Sequence, residues 1–251
     1  MRVLAIIPAR YASTRFPAKP LAVLGRKCII EWVYSAARSV FDRVVVATDD
    51  SRIAAAVEAF GGEVVMTSES HRCGTERCAE AAAKVGGSYD VVVNIQGDEP
   101  FVSSEQLCTL ISVMEHSNVD IATLATPITS GGETLFNPNV VKVAMTAEGR
   151  ALYFSRSPIP YLRGCDEGEW CARHTFYQHV GIYAFRRATL TEVTHLEPTP
   201  LECAESLEQL RWLERGYTIG VGVTNHKSIG IDTPEDLELA RKMLAELHIE
   251  A

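Results

Sequence analysis

At 251 residues and 47% hydrophobic, the chain carries enough apolar surface for one large α/β domain, with or without a subdomain, and is too apolar to be disordered. A formal net charge of −8 argues against a general binder of nucleic acid or anionic membrane, which presents basic surface over a wide area. No apolar run approaches the roughly 18 residues of a membrane span, and Val3 to Ala9 is too short and too quickly followed by Arg10 for a signal peptide.

Taken in chain order, Val3 to Ile7 reads as a buried strand, and similar runs recur at Val44 to Ala47, Val64 to Met66, Val91 to Ile95 and Ile121 to Leu124. Helical spacing separates them. Ile29 to Ser39 and Ser51 to Phe60 are predicted helices, the second opening after Asp49-Asp50, and Ser103 with Gln106 forms a capping box ahead of a helix from Leu107 to Met114. Strand and helix alternate, so the expected fold is α/β, a mostly parallel sheet with helices on both faces. After Ile128 the rhythm changes. Val140 to Met145, Leu152 to Phe154 and Gly181 to Phe185 read as strands without helices of equal length between them, which suggests a mixed sheet and an insertion. Alternation resumes with a helix across Ala204 to Glu214, a strand at Ile219 to Val223, and a closing helix with Thr233 as its cap, Pro234 as its first residue and Asp236 three beyond the cap. There is no internal repeat or linker, so residues 1–251 are expected to form a single domain, with about 130–190 as its β-rich extension.

Seven scattered cysteines without a CxxC pair fit reduced thiols, and a cytoplasmic location is expected. Cys165, Cys171, His174 and His179 lie close in sequence, but their spacing follows no paired zinc pattern and Asp166, Glu167, Glu169 and Arg173 mark the segment as an exposed loop.

In open α/β sheets ligands bind beyond the carboxyl ends of the strands, which directs attention to the loops after Ile7, Met66 and Ile95. The first, Pro8 to Leu21, holds Arg10, Arg15 and Lys19 with no acidic residue before Glu31 and is stiffened by three prolines. Three cations at the mouth of a parallel sheet in an acidic protein call for an anion. A triphosphate fits, because guanidinium forks and a lysine point charge neutralise phosphate oxygens and the charge that builds on a pyrophosphate leaving group. Neither a GxxxxGK(S/T) loop nor a GxGxxG fingerprint is present, which removes the usual support for P-loop ATPases and nicotinamide dehydrogenases. The loop after Val93-Asn94-Ile95 reads Gln96-Gly97-Asp98-Glu99-Pro100 and delivers carboxylates at a strand end, where a hard cation such as Mg²⁺ takes one or two of them together with substrate phosphates. Asp232 is the natural second carboxylate, although Thr233 and Pro234 already account for the turn it sits in.

Taken together these motifs resemble the CMP-sugar synthetases, and within them the members that activate 3-deoxy-manno-octulosonate (Kdo). The resemblance spans nearly the whole chain: PARYASTRFPAKPL at 8–21, ATDD at 47–50, GTER at 74–77, NIQGDEP at 94–100, FNPNVVKV at 136–143, LYFSRSPIP at 152–160, HVGIYAFR at 179–186, LEQLRWL at 207–213 and GIDTPEDLE at 230–238. It implies a Rossmann-like nucleotidyltransferase fold, a β-rich extension that covers the sugar and helps form a homodimer, and transfer of CMP from CTP to the anomeric 2-hydroxyl of Kdo for lipopolysaccharide synthesis. Carried over by position, Arg10, Arg15 and Lys19 would hold the triphosphate, with Lys19 stabilising the transition state and Ser13 also touching the nucleotide. Asp98 and Asp232 would hold Mg²⁺. The loop from Cys73 through Gly74 to Arg77, with the backbone of Pro8 and Ala9, would read cytosine, and Gln96 would sit near the nucleotide. Arg156, Gln178, His179, Tyr183, Glu208 and Gln209 resemble the residues that grip the acid sugar. An 8-amino-Kdo or sialic acid acceptor, or a non-catalytic nucleotide-sugar sensor, are the alternatives. The chain departs from the family pattern at Ala18, where glycine is usual, and at Cys73, where serine is usual.

Overall fold

The computed structural model describes residues 1–12, 16–129, 132–226 and 230–246. It divides into two compact units, Met1–Leu107 with Lys227–Ala251, and Cys108–His226.

The first unit is built on β1 (Val3–Ala9), β2 (Val23–Leu24), β3 (Lys27–Cys28), α1 (Ile29–Arg38), β4 (Val44–Thr48), α2 (Ser51–Ala59), β5 (Glu63–Met66), α3 (Gly74–Val85) and β6 (Val91–Asn94). Four of the strands form a parallel sheet in the order β6-β1-β4-β5. The runs of Val and Ile in β1, β4 and β6 are buried almost throughout, as strands covered on both faces must be. Helix α1 turns Ile29, Ile30, Val33 and Ala37 to the core at helical spacing. Asp50 caps α2 by accepting from the Arg52 amide at 2.9 Å. Between β1 and α1 the chain makes a 3₁₀ turn at Lys19–Leu21 and the β2-β3 hairpin, so the long connection has structure of its own.

The Ser103/Gln106 capping box is present, with Ser103 N donating to Gln106 Oε1 at 3.0 Å and Gln106 N to Ser103 Oγ at 3.2 Å, and it opens α4 (Ser104–His116). The second unit continues with β7 (Ile121–Ile128), α5 (Gly132–Phe136), β8 (Lys142–Met145), β9 (Ala151–Ser155), α6 (Trp170–Arg173), β10 (Phe176–Arg186), α7 (Arg187–Val193), α8 (Pro200–Glu205), α9 (Glu208–Glu214) and β11 (Ile219–Val223). Here the sheet is mixed: β7 pairs with β11 in parallel and with β10 antiparallel, while β10, β8 and β9 follow one another antiparallel. The chain then returns to the first unit, where α10 (Pro234–Glu246) is capped by Thr233: Asp236 N donates to its Oγ1 at 3.2 Å, and the Thr233 amide donates back to Asp236 at 2.9 Å. Ile231, Leu237, Ala240 and Leu244 pack with Leu24 and Ile29 in one apolar cluster.

Three elements differ from the sequence reading. Cys73 to Arg77, read as a loop, is the N-terminal cap and first turn of α3; its buried residues, Thr75, Arg77, Cys78 and Ala81, make a weak apolar stripe, which hides the helix from a periodicity argument. The helix expected across Ala204 to Glu214 is two helices, because Ser206 adopts φ +53° in the left-handed region and ends α8. The strand expected at Gly181 to Phe185 starts at Phe176, and a bulge between Val180 and Tyr183 interrupts its register with β7.

Ala18 also has a left-handed backbone, at φ +60° and ψ 17°, immediately before the 3₁₀ turn that carries Lys19. An alanine Cβ is unfavourable there. Ala18→Gly is expected to raise unfolding stability by about 1 kcal/mol, seen as a higher urea midpoint at unchanged slope; an equal or lower midpoint would mean the strain is relieved elsewhere.

Candidate active site

The carboxyl ends of β1 and β6 and the start of α3 surround a cavity lined by Pro8, Ala9, Arg10, Lys19, Pro20, His71, Arg72, Cys73, Gly74, Arg77, Gln96, Gly97, Asp98 and Asp232. Its floor is tight. A Cβ on Gly97 would come within 2.9 Å of the Pro8 carbonyl, so only glycine lets the two strand ends approach so closely. Of the residues proposed for nucleotide and metal from the sequence, ten meet in this cavity; Ser13 and Arg15 lie outside the described residues.

At its centre Lys19 Nζ is 2.6 Å from Asp98 Oδ2 and 3.1 Å from Asp232 Oδ1. The lysine side chain is only 12% exposed, which strengthens its attraction to the carboxylates relative to a surface pair. The ammonium is not the sole link between them: Ile231 N donates to the Asp98 carbonyl at 2.9 Å and ties the two segments, while Asp232 N donates to the Asp236 side chain at 3.0 Å within its own turn. Arg10 is exposed at the rim.

The wall opposite is held from behind. Arg77 is 4% exposed, and its guanidinium donates to Thr67 Oγ1 at 2.6 Å and to Asp49 Oδ2 at 2.7 Å. The segment before α3 is fastened to that helix by two glutamates: Glu76 accepts from the Arg72 amide and guanidinium, and Glu80 from the Ser68 amide and the His71 ring. Hydrogen bonds from Lys84 first, then from the Ser68 amide and the His71 ring, hold the Glu80 carboxyl down at about 2. Cys73 is the N-cap of α3 and makes no side-chain capping bond, the consequence of a thiol at a position that favours a hydroxyl.

The ATDD segment, which the sequence reading left without a role, serves both sides. Asp49 fixes Arg77. Asp50 grips Arg52 through two bonds, at 2.9 and 2.6 Å, and that guanidinium lies 3.3 Å from the centroid of the Tyr11 ring at the start of the cationic loop. The Arg52 contact keeps the Asp50 carboxyl at about 2. His71 and Arg72 at the cavity and Arg52 behind the loop were not identified from the sequence; a lone histidine and surface arginines carry no spacing signal.

The residues proposed for the acid sugar all lie in the second unit. Arg156 donates Nε to the Glu205 carbonyl at 2.6 Å, Nη1 to Pro138 O at 3.0 Å and Nη2 to Ser206 O at 3.3 Å, which uses three of its five N–H groups and leaves a fork for an anion. Glu205 also accepts from Ser155 Oγ and the Arg156 amide, at 2.7 and 2.9 Å. Lys142, fully buried, donates to the carbonyls of Asn137, Val140 and Arg156, and burial lowers its pKa. Neither Lys142 nor Glu205 was singled out from the sequence. A lone lysine in the apolar FNPNVVKV run was the available signal.

His179 packs against the rings of Phe154 and Tyr183, at centroid distances of 5.0 and 5.5 Å, and its Nε2 is 2.9 Å from Thr123 Oγ1. That hydroxyl also reaches the carbonyls of Val180 and Ile182, at 3.1 and 2.9 Å, and when its one proton goes to either of them it accepts from the imidazole. Desolvation pushes the ring pKa down to about 3, leaving it neutral at physiological pH. Burial, then the charge of Glu208, raises the Tyr183 phenol well above its ordinary value. Gln178 pairs with Lys142 across β10 and β8, and Gln209 is buried near the start of α9.

A parallel α/β sheet whose strand ends surround a cavity with a lysine, an arginine and two carboxylates is the architecture of a Rossmann-like nucleotidyltransferase. A family model described as cytidylyltransferase matches residues 4–221. The 3-deoxy-manno-octulosonate cytidylyltransferase of Parabacteroides distasonis is 56% identical over 248 residues, covering 98% of this chain and 99% of that protein, and that of Bacteroides thetaiotaomicron is 54% identical over 246 residues, covering 97% and 98%. A solved structure of CMP:2-keto-3-deoxy-manno-octonic acid synthetase complexed with CTP is 39% identical, covers 98% of this chain and all of that one, and superposes with a TM-score of 0.91. The chain belongs to the cytidylyltransferase family, and within it to the 3-deoxy-manno-octulosonate cytidylyltransferases.

The Arg52–Tyr11 stack gives a test of how the cationic loop is held. Tyr11→Leu is expected to lower kcat/KM for the nucleotide two- to fivefold, the worth of about 0.5–1 kcal/mol, while Tyr11→Phe retains it; equal losses in both would assign the effect to the hydroxyl instead.

Proposed function

We propose that the chain transfers CMP from CTP to the anomeric 2-hydroxyl of Kdo, releasing pyrophosphate and giving CMP-Kdo for lipopolysaccharide synthesis. The convergence of Lys19, Asp98 and Asp232 in one cavity with the α3 N-terminus carries this reading, because it supplies both signs of charge that a triphosphate with its metal requires. The names of the relatives support the choice of CTP and Kdo.

In-line displacement at the α-phosphorus needs positioning and charge neutralisation rather than a covalent intermediate. Arg10, Arg15 and Lys19 hold the triphosphate, and Lys19 neutralises the charge that grows on the pyrophosphate as it leaves. Ser13, Gln96, the backbone of Pro8 and Ala9, and Cys73 with Gly74 complete the nucleotide site. Arg77 acts there by fixing the first turn of α3, since its guanidinium is bound to Asp49 and Thr67. Asp98 and Asp232 fit a hard divalent cation: one oxygen of each already converges on a single positive centre, and Mg²⁺ takes few protein carboxylates when phosphates supply the rest. When bound, Mg²⁺ would polarise the phosphoryl oxygens.

Arg156 offers its remaining N–H groups to the sugar carboxylate. Gln178, neutral His179, Tyr183, Glu208 and Gln209 take hydroxyls, with His179 as a hydrogen-bond partner rather than a base; a ring that stays neutral down to about 3 is a poor proton store. The whole chain acts as one nucleotidyltransferase domain, cytoplasmic and homodimeric.

Pyrophosphate release from CTP, UTP, ATP or GTP with Mg²⁺ and Kdo, 8-amino-Kdo or sialic acid, with a chelator control, tests the reading. Release that requires CTP, Kdo and metal is expected. Another preferred acid sugar would move the specificity, and no release from any pair would favour a sensor. Lys19→Ala is expected to lower turnover far more than it weakens CTP binding, measured by calorimetry; equal losses would reduce Lys19 to a phosphate clamp.

A further inference from the structure

We propose that Lys19 is the resident cation of the Asp98/Asp232 pair, and that a divalent cation and the nucleotide therefore bind as one coupled event in which the triphosphate draws the ammonium off the carboxylates. This rests on the reading of those carboxylates as cation ligands.

Two observations carry it. The ammonium sits within hydrogen-bond distance of one oxygen from each carboxylate, at 2.6 and 3.1 Å, in a position where the lysine side chain is 12% exposed. A Mg²⁺ ion taking the same oxygens at about 2.0–2.1 Å would lie within a few ångströms of Nζ, with little water between the two positive charges. Two cations on the same pair of oxygens repel each other, so each weakens the hold of the other. Independently of the lysine, a backbone hydrogen bond from Ile231 N to Asp98 O ties the two carboxylate segments together, and Asp232 N is anchored to the Asp236 side chain at the start of α10. Removal of the ammonium takes one positive charge away from two neighbouring carboxylates and so raises the attraction of the site for another cation.

The lysine has somewhere to go. Its four-carbon stem is flexible, its ammonium is a point charge without a fixed fork, and Arg10 at the rim adds to the attraction for phosphate. A triphosphate entering the cavity offers Nζ new oxygens and at the same time supplies the remaining ligands a metal needs. By linkage, whatever affinity the nucleotide lends the metal, the metal lends the nucleotide. Free metal without nucleotide is held weakly, which keeps the phosphate site from being filled by an idle ion.

The test is Mn²⁺ binding to the full chain, followed by the electron paramagnetic resonance signal of the free ion, with and without α,β-methylene-CTP. Wild type is expected to bind Mn²⁺ weakly alone and at least about tenfold more tightly with the analogue. Lys19→Met should bind Mn²⁺ about tenfold or more tightly than wild type without the analogue and gain less from it, while Lys19→Arg, which keeps the charge, should stay weak. Asp98→Asn should lose Mn²⁺ binding in both conditions. Circular dichroism melts confirm that each variant is folded. Unchanged or weaker Mn²⁺ binding by folded Lys19→Met would overturn the competition and leave the metal site standing, whereas Mn²⁺ binding untouched by Asp98→Asn would remove the site itself and the proposal with it.

Discussion

One ammonium between two carboxylates ties together three stretches far apart in the sequence: the loop after β1, the loop after β6 and the turn before α10. Each stretch reaches that point for its own reason. Lys19 is delivered by a 3₁₀ turn, Asp98 follows a glycine that only a bare Cα could place against the Pro8 carbonyl, and Asp232 precedes a helix whose apolar face packs on Leu24 and Ile29. The return of the chain to the first unit after β11 is thus a requirement of the site. The second carboxylate has to come from a segment stiff enough to face the first, and a capped helix entry buttressed by a core cluster provides one. The charges are also nearly self-balancing before any ligand arrives, so the cavity can be built without leaving an unpaired ion in a partly desolvated place.

The second unit solves a related problem with different means. Lys142 and Arg156 are cations among backbone carbonyls; among the described residues the guanidinium donates to carbonyls alone, and the Glu205 carboxylate accepts from Ser155 and the Arg156 amide. Carbonyl dipoles stabilise a positive charge without cancelling it. A guanidinium held that way keeps its full charge for an anionic ligand, whereas one paired with a carboxylate would have to be separated from it first. The break at Ser206 belongs to this arrangement: the residues that end α8 turn two successive carbonyls, of Glu205 and Ser206, onto Arg156.

What could be read from the sequence follows from how each feature is encoded. Strands of four or five buried Val and Ile residues, and helices with Asp, Ser or Thr caps, announce themselves locally, and most of the parallel sheet and α10 were legible for that reason. The cationic loop and the Asp98 loop were legible because charge at a strand end has few structural uses. Helix α3 was not, since its buried residues are Thr75, Arg77, Cys78 and Ala81, small or polar side chains that make no apolar stripe. Nor were the supports. Asp49, Arg52, Thr67 and Glu205 look like ordinary surface polar residues in one dimension, and only tertiary contact reveals that they orient Arg77, Tyr11 and Arg156.

The supports are not distributed evenly around the cavity, and the asymmetry matches the chemistry. Behind the α3 wall the contacts are buried and charge-assisted, as at Arg77 with Asp49 and Thr67, and the floor is a backbone contact with no side chain to give way. The loop that carries Lys19 has instead a stack on a largely exposed arginine, a rim arginine open to solvent and a left-handed alanine that stores strain, beside local backbone bonds such as Ala18 N to Tyr11 O. A pocket that reads a flat base profits from rigidity, since each misplaced donor costs discrimination. If Lys19 passes from the carboxylates to phosphates as proposed, its loop profits from shallow restraints, each worth about 1 kcal/mol and each breakable alone. Strain at Ala18 then has a reading beyond poor packing: it raises the energy of the resting loop, in which Lys19 pairs with Asp98 and Asp232, and so reduces what the nucleotide must supply to move it.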